Sequence, residues 1–207
     1  MSEGISLGWN CKSASEGVSR GIRNTKQNGY KTCPFDEMVS NLTGIIDCLN
    51  DDFEYFCDSR YLQLIKIPTE SKYASNETMI YNTKYKFIFN HESPGHADLY
   101  ITQNWSNGIN HYILNDFEEF KKRYIRRIQN MKDLLNSGKS ITFILTRYNT
   151  RDISDVSLLN TTIANKYPSL VYSFLFLDVD KTYMYDHLKL MLFDENSEEI
   201  QRIKRET

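Results

Sequence analysis

The sequence lacks a long apolar segment and an excess of charge of either sign. Its longest apolar run, residues 170–177, is far shorter than the ~18 residues that a membrane-spanning helix needs. The 25 basic and 27 acidic side chains give a formal net charge of −2. The chain therefore lacks the excess of positive charge that is typical of proteins that bind nucleic acids or membrane surfaces. The polar, acidic residues 1–4 do not resemble a secretion signal. We therefore expect a cytoplasmic protein with no membrane contact and no nucleic-acid partner.

Zinc-type cysteine pairs and glycine-rich phosphate-binding loops are also absent. The four cysteines all lie among the first 57 residues, and no two of them form the C-x₂₋₄-C pair that is typical of zinc sites. A chain of 207 residues does not need disulfides to build a core, so we expect reduced thiols. Because neither a P-loop nor a G-x-G-x-x-G segment occurs, the sequence predicts no metal and no cofactor.

Predicted strands alternate with predicted helices along the chain. This order favours an α/β fold, a single layered domain over residues 1–207 with a mostly parallel central sheet flanked by helices. We expect a Rossmann-like arrangement and a charged tail from about residue 194. The predicted strands are 4–8, 62–67, 85–90, 140–146 and 170–177. The predicted helices are 11–22, 43–56, 116–136 (capped by Asp116) and 155–166, with a further helix starting at Pro34 and loops over 68–83 and 93–115.

Residues 5–11 (Ile-Ser-Leu-Gly-Trp-Asn-Cys) predict a strand, a glycine turn and a cysteine where a helix begins. The free N–H groups and the dipole at a helix start favour an anion, and they can lower the pKa of a thiol placed there. Cys11 is therefore a candidate nucleophile. The alternative is a small buried residue that packs the turn, since free cysteine is among the most buried residue types.

His91 follows a predicted strand and is the candidate general base for Cys11. In a parallel sheet the carboxyl ends of the strands meet at one edge, so the topology can bring both side chains together. A carboxylate that orients the second imidazole nitrogen completes such a site. Asp36 and Glu92 are the available candidates for this role. The alternative is an ordinary polar histidine in a loop.

A second hypothesis starts from the basic face of the predicted helix 116–136. Arg126 and Arg127 are about 100° apart on a helix, so one of them can turn towards the sheet edge, where Arg147 follows a strand. Together with Asp178 after another strand, these arginines would suit anion binding in a nucleotide or nucleotide-sugar binding domain related to glycosyltransferases. The simpler interpretation is a solvated helix face.

Several segments of the chain match the motifs of one family. Residues 6–11 (Ser-Leu-Gly-Trp-Asn-Cys) match S-L-G-x-N-C after a strand, and residues 34–40 (Pro-Phe-Asp-Glu-Met-Val-Ser) match P-[FL]-D-W-x-x-S, with Glu37 in place of the tryptophan. An arginine-containing segment with Arg20 and Arg23 lies between them. Residues 89–92 match a strand that ends in histidine and an acid in the family. Residues 120–128 match a helix with paired arginines, and residues 141–147 match an apolar strand. Over roughly residues 4–180 the chain thus resembles the DUF1796 family of papain-like cysteine peptidases, found in bacteria and large DNA viruses.

The resemblance implies a thiol-dependent hydrolase of the papain-like cysteine peptidase type, acting on a peptide or a small-molecule amide. Four residues carry over from the family: Cys11 as nucleophile, His91 as general base, Asp36 as third catalytic residue, and Asn10 as support for the oxyanion. We expect Glu92 and Arg23 to support the same site. If the source is viral, the location is the host-cell cytoplasm. A third hypothesis is then a non-catalytic viral protein that interacts with the host.

Overall fold

The computed structural model describes residues 2–8, 11–68, 76–92, 114–147, 153–178 and 201–203. This part of the chain forms α-helices, strands and short 3₁₀ turns. The helices are α1 (Cys11–Ser19), α2 (Leu42–Asn50), α3 (Glu118–Leu135) and α4 (Ile153–Lys166). The strands are β1 (Ser2–Ser6), β2 (Leu62–Pro68), β3 (Asn76–Asn82), β4 (Phe87–Phe89), β5 (Ser140–Arg147), β6 (Tyr172–Asp178) and β7 (Gln201–Ile203). The 3₁₀ turns are Lys26–Asn28, Pro34–Glu37 and Ser59–Tyr61.

The strands β1, β5 and β6 form a parallel sheet with β5 in the centre. β5 suits the central place because Ile141, Phe143 and Ile144 are all buried, as is typical of a parallel strand covered on both faces. The register places Ile5 of β1 beside Phe143. The carboxyl end of β1, from which the chain continues to Cys11, therefore lies beside the carboxyl half of β5.

The other four strands form a second, antiparallel sheet in the order β4–β3–β2–β7. The sequence predicts a loop over 68–83, and this is wrong for residues 76–82, which form β3. The strand begins with polar residues, but the register pairs Ile80 with Leu64 and buries both side chains, so tertiary pairing overrides composition. The mixed α/β class is confirmed. The described residues form two sheets instead of one mostly parallel sheet, and a Rossmann-like layering stays a prediction.

Helix α3 confirms the most regular helical pattern of the sequence. Its buried apolar stripe comprises Phe120, Tyr124, Ile128, Met131 and Leu135. The expected cap is wrong, because Asp116 has a left-handed φ of 56° and Phe117 precedes the helix. Asp116 instead forms an ion pair with Lys121 at 2.6 Å. Neither α3 nor any other helix of the described part is long and apolar enough to span a membrane.

Three other helices are shorter than the sequence predicts, and the first of them, α1, ends at Ser19 instead of residue 22. The helix expected from Pro34 is a single 3₁₀ turn that ends at Glu37. The helix expected over 43–56 ends at Asn50, because Asp52 and Phe53 have φ values of 53° and 67°, which a right-handed helix does not allow. The loop expected over 93–115 and the element expected before residue 194 fall largely on residues outside the described part.

An aromatic cluster holds the second 3₁₀ turn, β4 and α3 together. Phe35 lies edge-on to Phe87, with ring centroids 5.8 Å apart. Phe89 lies edge-on to Phe120 and Tyr124, at 4.7 and 4.9 Å. Contacts of this geometry contribute about 0.5–1.5 kcal/mol per pair beyond the burial of area. The residues that follow Phe35 and Phe89 in the chain are therefore anchored by the core.

Candidate functional site

The turn between β1 and α1 is held by hydrogen bonds on both flanks. Gly8 has a φ of +83°, a conformation that glycine adopts at little cost. Its N–H donates to the Ser6 hydroxyl at 3.2 Å. Its carbonyl accepts from the Ser13 hydroxyl and from the Thr146 N–H. The bond from Ser13 therefore holds Gly8 against the first turn of α1, which begins at Cys11.

The Pro-Phe-Asp motif contacts the same turn. The Ser40 hydroxyl donates to the Leu7 carbonyl at 3.4 Å. A Cβ on Gly8 would lie 1.8 Å from the Ser40 Oγ, so this position needs glycine for the close approach as well as for its φ. The two motifs on which the family resemblance rests are thus in direct contact.

The Pro-Phe-Asp motif also pairs with the strand before His91. Val39 and Ile88 exchange backbone hydrogen bonds of 2.8 and 3.0 Å in an antiparallel bridge. Because the two segments run in opposite directions, the residues before Val39 and those after Ile88 lie on the same side of the bridge. Glu37 and His91 are two and three residues away on that side. The pairing therefore brings the turn that carries Glu37 towards His91.

Cys11 is partly buried at the start of α1. Burial raises the pKa of its thiol, a hydrogen bond from its own backbone N–H opposes this, and the charge of Glu37 adds to it. The net direction is opposite to the one that a helix start alone predicts, so burial dominates and the thiol is protonated at neutral pH. Asn10, the expected support for the oxyanion, lies outside the described residues.

All four cysteine thiols have raised pKa values. All four cysteines are free. Burial raises the pKa of Cys33 and of Cys57 to about 12 and raises that of Cys48 strongly. In the part of the chain that the structure describes, no group of three or more His, Cys, Asp or Glu could hold a metal ion.

His91 follows β4 and is partly buried. Burial lowers the pKa of its imidazole below the ordinary 6.5. Glu37 is the strongest charge that acts in the other direction, and Glu92 also raises the pKa, whereas Arg127 and Lys26 lower it. The imidazole is therefore neutral at pH 7. A neutral imidazole can accept a proton, as a general base must.

Asp36 belongs to a closed network of hydrogen bonds. Its carboxylate accepts from Arg23 Nη1 at 3.1 Å, from the Tyr30 hydroxyl at 3.1 Å and from the Cys33 N–H at 2.7 Å. The Arg23 guanidinium also lies over the Tyr30 ring, 4.0 Å from its centroid. Burial raises the pKa of Asp36 to about 6, against the opposing effects of Arg23 and of these hydrogen bonds. The structure thus places Asp36 and Arg23 together in a buried ion pair.

Glu37 is a candidate site residue that the sequence reasoning missed. Its Oε1 lies 2.8 Å from Lys26 Nζ, and its Oε2 pairs with Arg127. Although burial favours the neutral carboxyl, the two cations lower the pKa of Glu37 to about 2. Its charge acts on both Cys11 and His91. The signal in the sequence is the departure from the motif, since a glutamate occupies the place of the tryptophan.

Glu92, the other candidate partner of His91, is tied to α3. One of its oxygens pairs with Arg123, and its Oε1 is buried with no hydrogen-bond partner in the described part. The Tyr124 hydroxyl and Arg127 Nη1 are also buried with no hydrogen-bond partner in the described part. The charges of Glu92 and Arg127 both affect the pKa of Tyr124, which Glu92 raises and Arg127 lowers. Unsatisfied buried polar atoms are uncommon and costly. Their concentration here favours a functional region over a purely structural core.

The basic face of α3 is largely neutralised within the molecule. Its ion pairs are Lys121–Asp116, Lys122–Glu118, Lys122–Glu119, Arg123–Glu92, Arg127–Glu37 and Lys132–Asp52. Of the two adjacent arginines, Arg127 is buried and Arg126 is exposed, as their separation on a helix implies. The backbones of Arg147 and Asp178 are neighbours at the ends of β5 and β6. These pairings favour the solvated-face interpretation over an anion-binding one.

The fold and the site together define a class: a mixed α/β protein in which a cysteine at a helix start and a histidine after a strand both lie in the field of one carboxylate. A family model described as "Putative papain-like cysteine peptidase (DUF1796)" matches residues 3–182. The chain belongs to this family, and the resemblance inferred from its motifs is confirmed. No curated protein and no solved structure matches the chain.

Proposed function

We propose that this protein is a thiol-dependent hydrolase of peptide or amide bonds, with Cys11 as the nucleophile and His91 as the general base. The observation that carries the proposal is a pair of contacts made by one motif: the Ser40 hydroxyl donates to the Leu7 carbonyl before Cys11, and the adjacent Val39 pairs with β4 before His91. The charge of Glu37 adds support, because it raises the pKa of both side chains. Two neighbouring residues of one motif thus connect the two parts of the candidate site.

The electrostatics favour general-base catalysis over a preformed ion pair. Burial raises the pKa of Cys11 and lowers that of His91, so both groups are neutral at rest. As the sulfur attacks the carbonyl carbon, the thiol proton passes to His91, which then protonates the departing amine. Water next attacks the thioester and gives a proton to His91. The C–S bond breaks, and the thiolate takes that proton back.

The start of α1 suits the negative charge that forms on the carbonyl oxygen. The first N–H groups of a helix have no partner within the helix, and its dipole favours an anion at that end. The N–H of Cys11 is one such group, and the proposal gives Asn10 the second donor. Asp36 has a supporting role in this scheme, because its pair with Arg23 holds the turn that carries Glu37.

The test compares Cys11→Ala with Cys57→Ala, since both cysteines are free and partly buried. Hydrolysis of a panel of peptides, amides and esters is followed by mass spectrometry, with the full chain. We expect Cys11→Ala to lose hydrolysis by roughly 10³-fold or more, as removal of a nucleophile does, and Cys57→Ala to keep it. With the wild type, a short quench should trap the acyl group on Cys11.

Two outcomes contradict the proposed function. One is a wild-type protein that cleaves no member of the panel, and the other is a Cys11→Ala variant that cleaves as fast as the wild type. His91→Asn should also lose hydrolysis while its urea denaturation midpoint stays near that of the wild type. This second comparison separates the loss of the base from a loss of folded protein.

A further inference from the structure

We propose that Glu92, Tyr124 and Arg127 form a subsite that binds a primary carboxamide of the substrate, as in the side chain of a glutamine or an asparagine. The inference deepens the proposed function and rests on it, because it names the class of substrate that the same site accepts. The subsite lies beside the reacting groups, since Glu92 directly follows His91 in the chain. The three residues set specificity and take no step in the reaction.

Each of the three side chains has a buried polar atom with no hydrogen-bond partner in the described part of the chain. These atoms are Glu92 Oε1, the Tyr124 hydroxyl oxygen and Arg127 Nη1. The exposed fractions of the three residues are 5%, 0% and 7%. An unsatisfied buried polar atom is costly, and most buried polar groups of folded proteins do have a partner. Three such atoms in one region therefore indicate a place for a polar group from outside the chain.

Direct contacts hold the three side chains together. The guanidinium carbon of Arg127 lies 4.8 Å from the centroid of the Tyr124 ring. The Tyr124 ring lies edge-on to Phe89 at 4.9 Å, and the Glu92 N–H donates to the Phe89 carbonyl at 2.9 Å. Glu92 Oε2 pairs with Arg123, which lies one helical turn before Arg127 on α3. Glu92 is therefore held against the part of α3 that carries Tyr124 and Arg127.

The charges around the subsite favour a neutral ligand. Arg127 Nη2 pairs with Glu37, and Glu92 Oε2 pairs with Arg123. These two ion pairs leave no net charge, and Lys26, which also pairs with Glu37, is 61% exposed and screened by water. A carboxylate in the subsite would be repelled by Glu92, and an ammonium group would be repelled by Arg127. A neutral group with both donors and acceptors avoids both repulsions.

A primary carboxamide matches the hydrogen-bonding capacity of the open atoms. Arg127 Nη1 donates only, the ionised Glu92 Oε1 accepts only, and the Tyr124 hydroxyl does either. The amide oxygen accepts from Arg127, and the two amide N–H groups donate to Glu92 and to Tyr124. All three open atoms then have a partner. A glutamate side chain offers no donor to Glu92, and a lysine side chain offers no acceptor to Arg127.

Arg123 controls access to the subsite. The three open atoms are buried in the free protein, so a ligand reaches them only when a side chain moves. The Arg123 side chain is 39% exposed, whereas that of its partner Glu92 is 5% exposed. Exposed side chains change rotamer within picoseconds to nanoseconds. Arg123 is therefore the side chain that turns outwards when the carboxamide enters.

The experiment compares the dissociation constants of three blocked peptides for the full chain carrying Cys11→Ala, by NMR titration. The peptides are acetyl-Ala-X-Ala-methylamides with glutamine, glutamate or methionine as X, so only the first contains a primary carboxamide. We expect the glutamine peptide to bind roughly tenfold more tightly than the methionine peptide, and the glutamate peptide to bind no better than methionine. Tyr124→Phe should reduce the preference for glutamine by about threefold. Tyr172→Phe is the matched control, because it removes a hydroxyl that bonds Asn160 elsewhere, and it should keep the preference.

Stability measurements separate a binding role of Tyr124 from a structural one. Tyr124→Phe removes a hydroxyl that has no partner in the described part, so its urea denaturation midpoint should not fall. A lower midpoint would give the hydroxyl a structural role and overturn the proposal. Equal affinities for the glutamine and methionine peptides, or no binding of any peptide, would also overturn it, and the open atoms would then hold water only.

Glu92→Gln keeps the test valid should Tyr124→Phe unfold. Because the negative charge is lost, the glutamate peptide should bind about threefold more tightly or better than it binds the chain with Glu92. No gain for this peptide would contradict the proposal. The titration needs no turnover, so a protein that selects the glutamine peptide but cleaves nothing contradicts only the proposed function.

Discussion

Asp36 and Glu37 are neighbours on one 3₁₀ turn, yet their carboxylates enter different networks. The Asp36 side chain is 1% exposed and accepts from buried donors, whereas the Glu37 side chain is 23% exposed and pairs with one exposed and one buried cation. The pKa of Asp36 is raised to about 6, and that of Glu37 is lowered to about 2. One position along the chain therefore separates two carboxyl groups with opposite responses to acid.

The difference shows how filled hydrogen bonds distinguish a structural carboxylate from one that can assist chemistry. A buried carboxylate that already accepts from three groups holds those groups in place, and any movement breaks the bonds. A partly exposed carboxylate whose field reaches a thiol and an imidazole can change the behaviour of both. We infer that Asp36, the residue that the motif suggests, is mainly structural, and that Glu37 faces the candidate site.

The largest expected effect concerns the structural role of Asp36. Asp36→Ala removes the acceptor of Arg23 and leaves a buried guanidinium unpaired, which should lower the free energy of unfolding by about 3–5 kcal/mol. Urea denaturation followed by circular dichroism measures the change. Glu119→Ala removes an exposed carboxylate that pairs only across the surface with Lys122, and it should cost no more than about 0.5 kcal/mol. Equal costs for the two variants would refute the structural role of Asp36.

The next effect is the pH dependence of the free energy of unfolding, which should differ between Asp36 and Glu37. The folded pKa of Asp36, about 6, lies above the ordinary 3.8, so the free energy of unfolding should fall as the pH rises through this interval. The folded pKa of Glu37, about 2, lies below the ordinary 4.5. Its contribution, about 2–3 kcal/mol, is therefore present above the ordinary value and lost as the pH falls towards 2.

Denaturation midpoints recorded across both intervals test the two slopes. Asp36→Ala should lose the decline between about pH 4 and about pH 6 and keep the acid decline. Glu37→Gln should do the reverse, because a neutral amide does not titrate. If both variants keep both slopes, other groups produce the pH dependence and the opposite pKa shifts of Asp36 and Glu37 have no role in it.

Local patterns were sufficient to predict the parts of the molecule that depend on near neighbours. The apolar spacing of residues 120–135 predicts the buried face of α3, and the largely apolar segment 141–145 predicts the central strand β5. The glycine turn after β1 also follows from the sequence, since the φ of Gly8 suits few other residues. In each case the determining interactions lie within a few residues or within one element.

The remaining features depend on contacts that the sequence does not display. Glu37 pairs with Arg127, 90 residues away, and no local pattern reports such a partner. The strand 76–82 is polar at its start and becomes a strand because β2 and β4 flank it. The raised pKa of Cys11 depends on burial, whereas a helix start alone predicts a lowered one. In all three cases, tertiary packing decides between alternatives that local chemistry leaves open.

The smallest expected effect concerns Arg126 and Arg127, the corresponding pair of neighbours on α3. Arg126 is exposed, so Arg126→Ala should change the free energy of unfolding by no more than about 0.5 kcal/mol. Arg127→Ala removes the buried partner of Glu37 and should cost about 1.5–3 kcal/mol. It should also raise the pKa of His91, because the positive charge of Arg127 opposes the imidazolium. Urea denaturation measures the first effect, and NMR titration of the His91 imidazole measures the second. A rise in the pKa of the same size in Arg126→Ala would show that bulk positive charge, and not the pairing of Arg127 with Glu37, controls the imidazole.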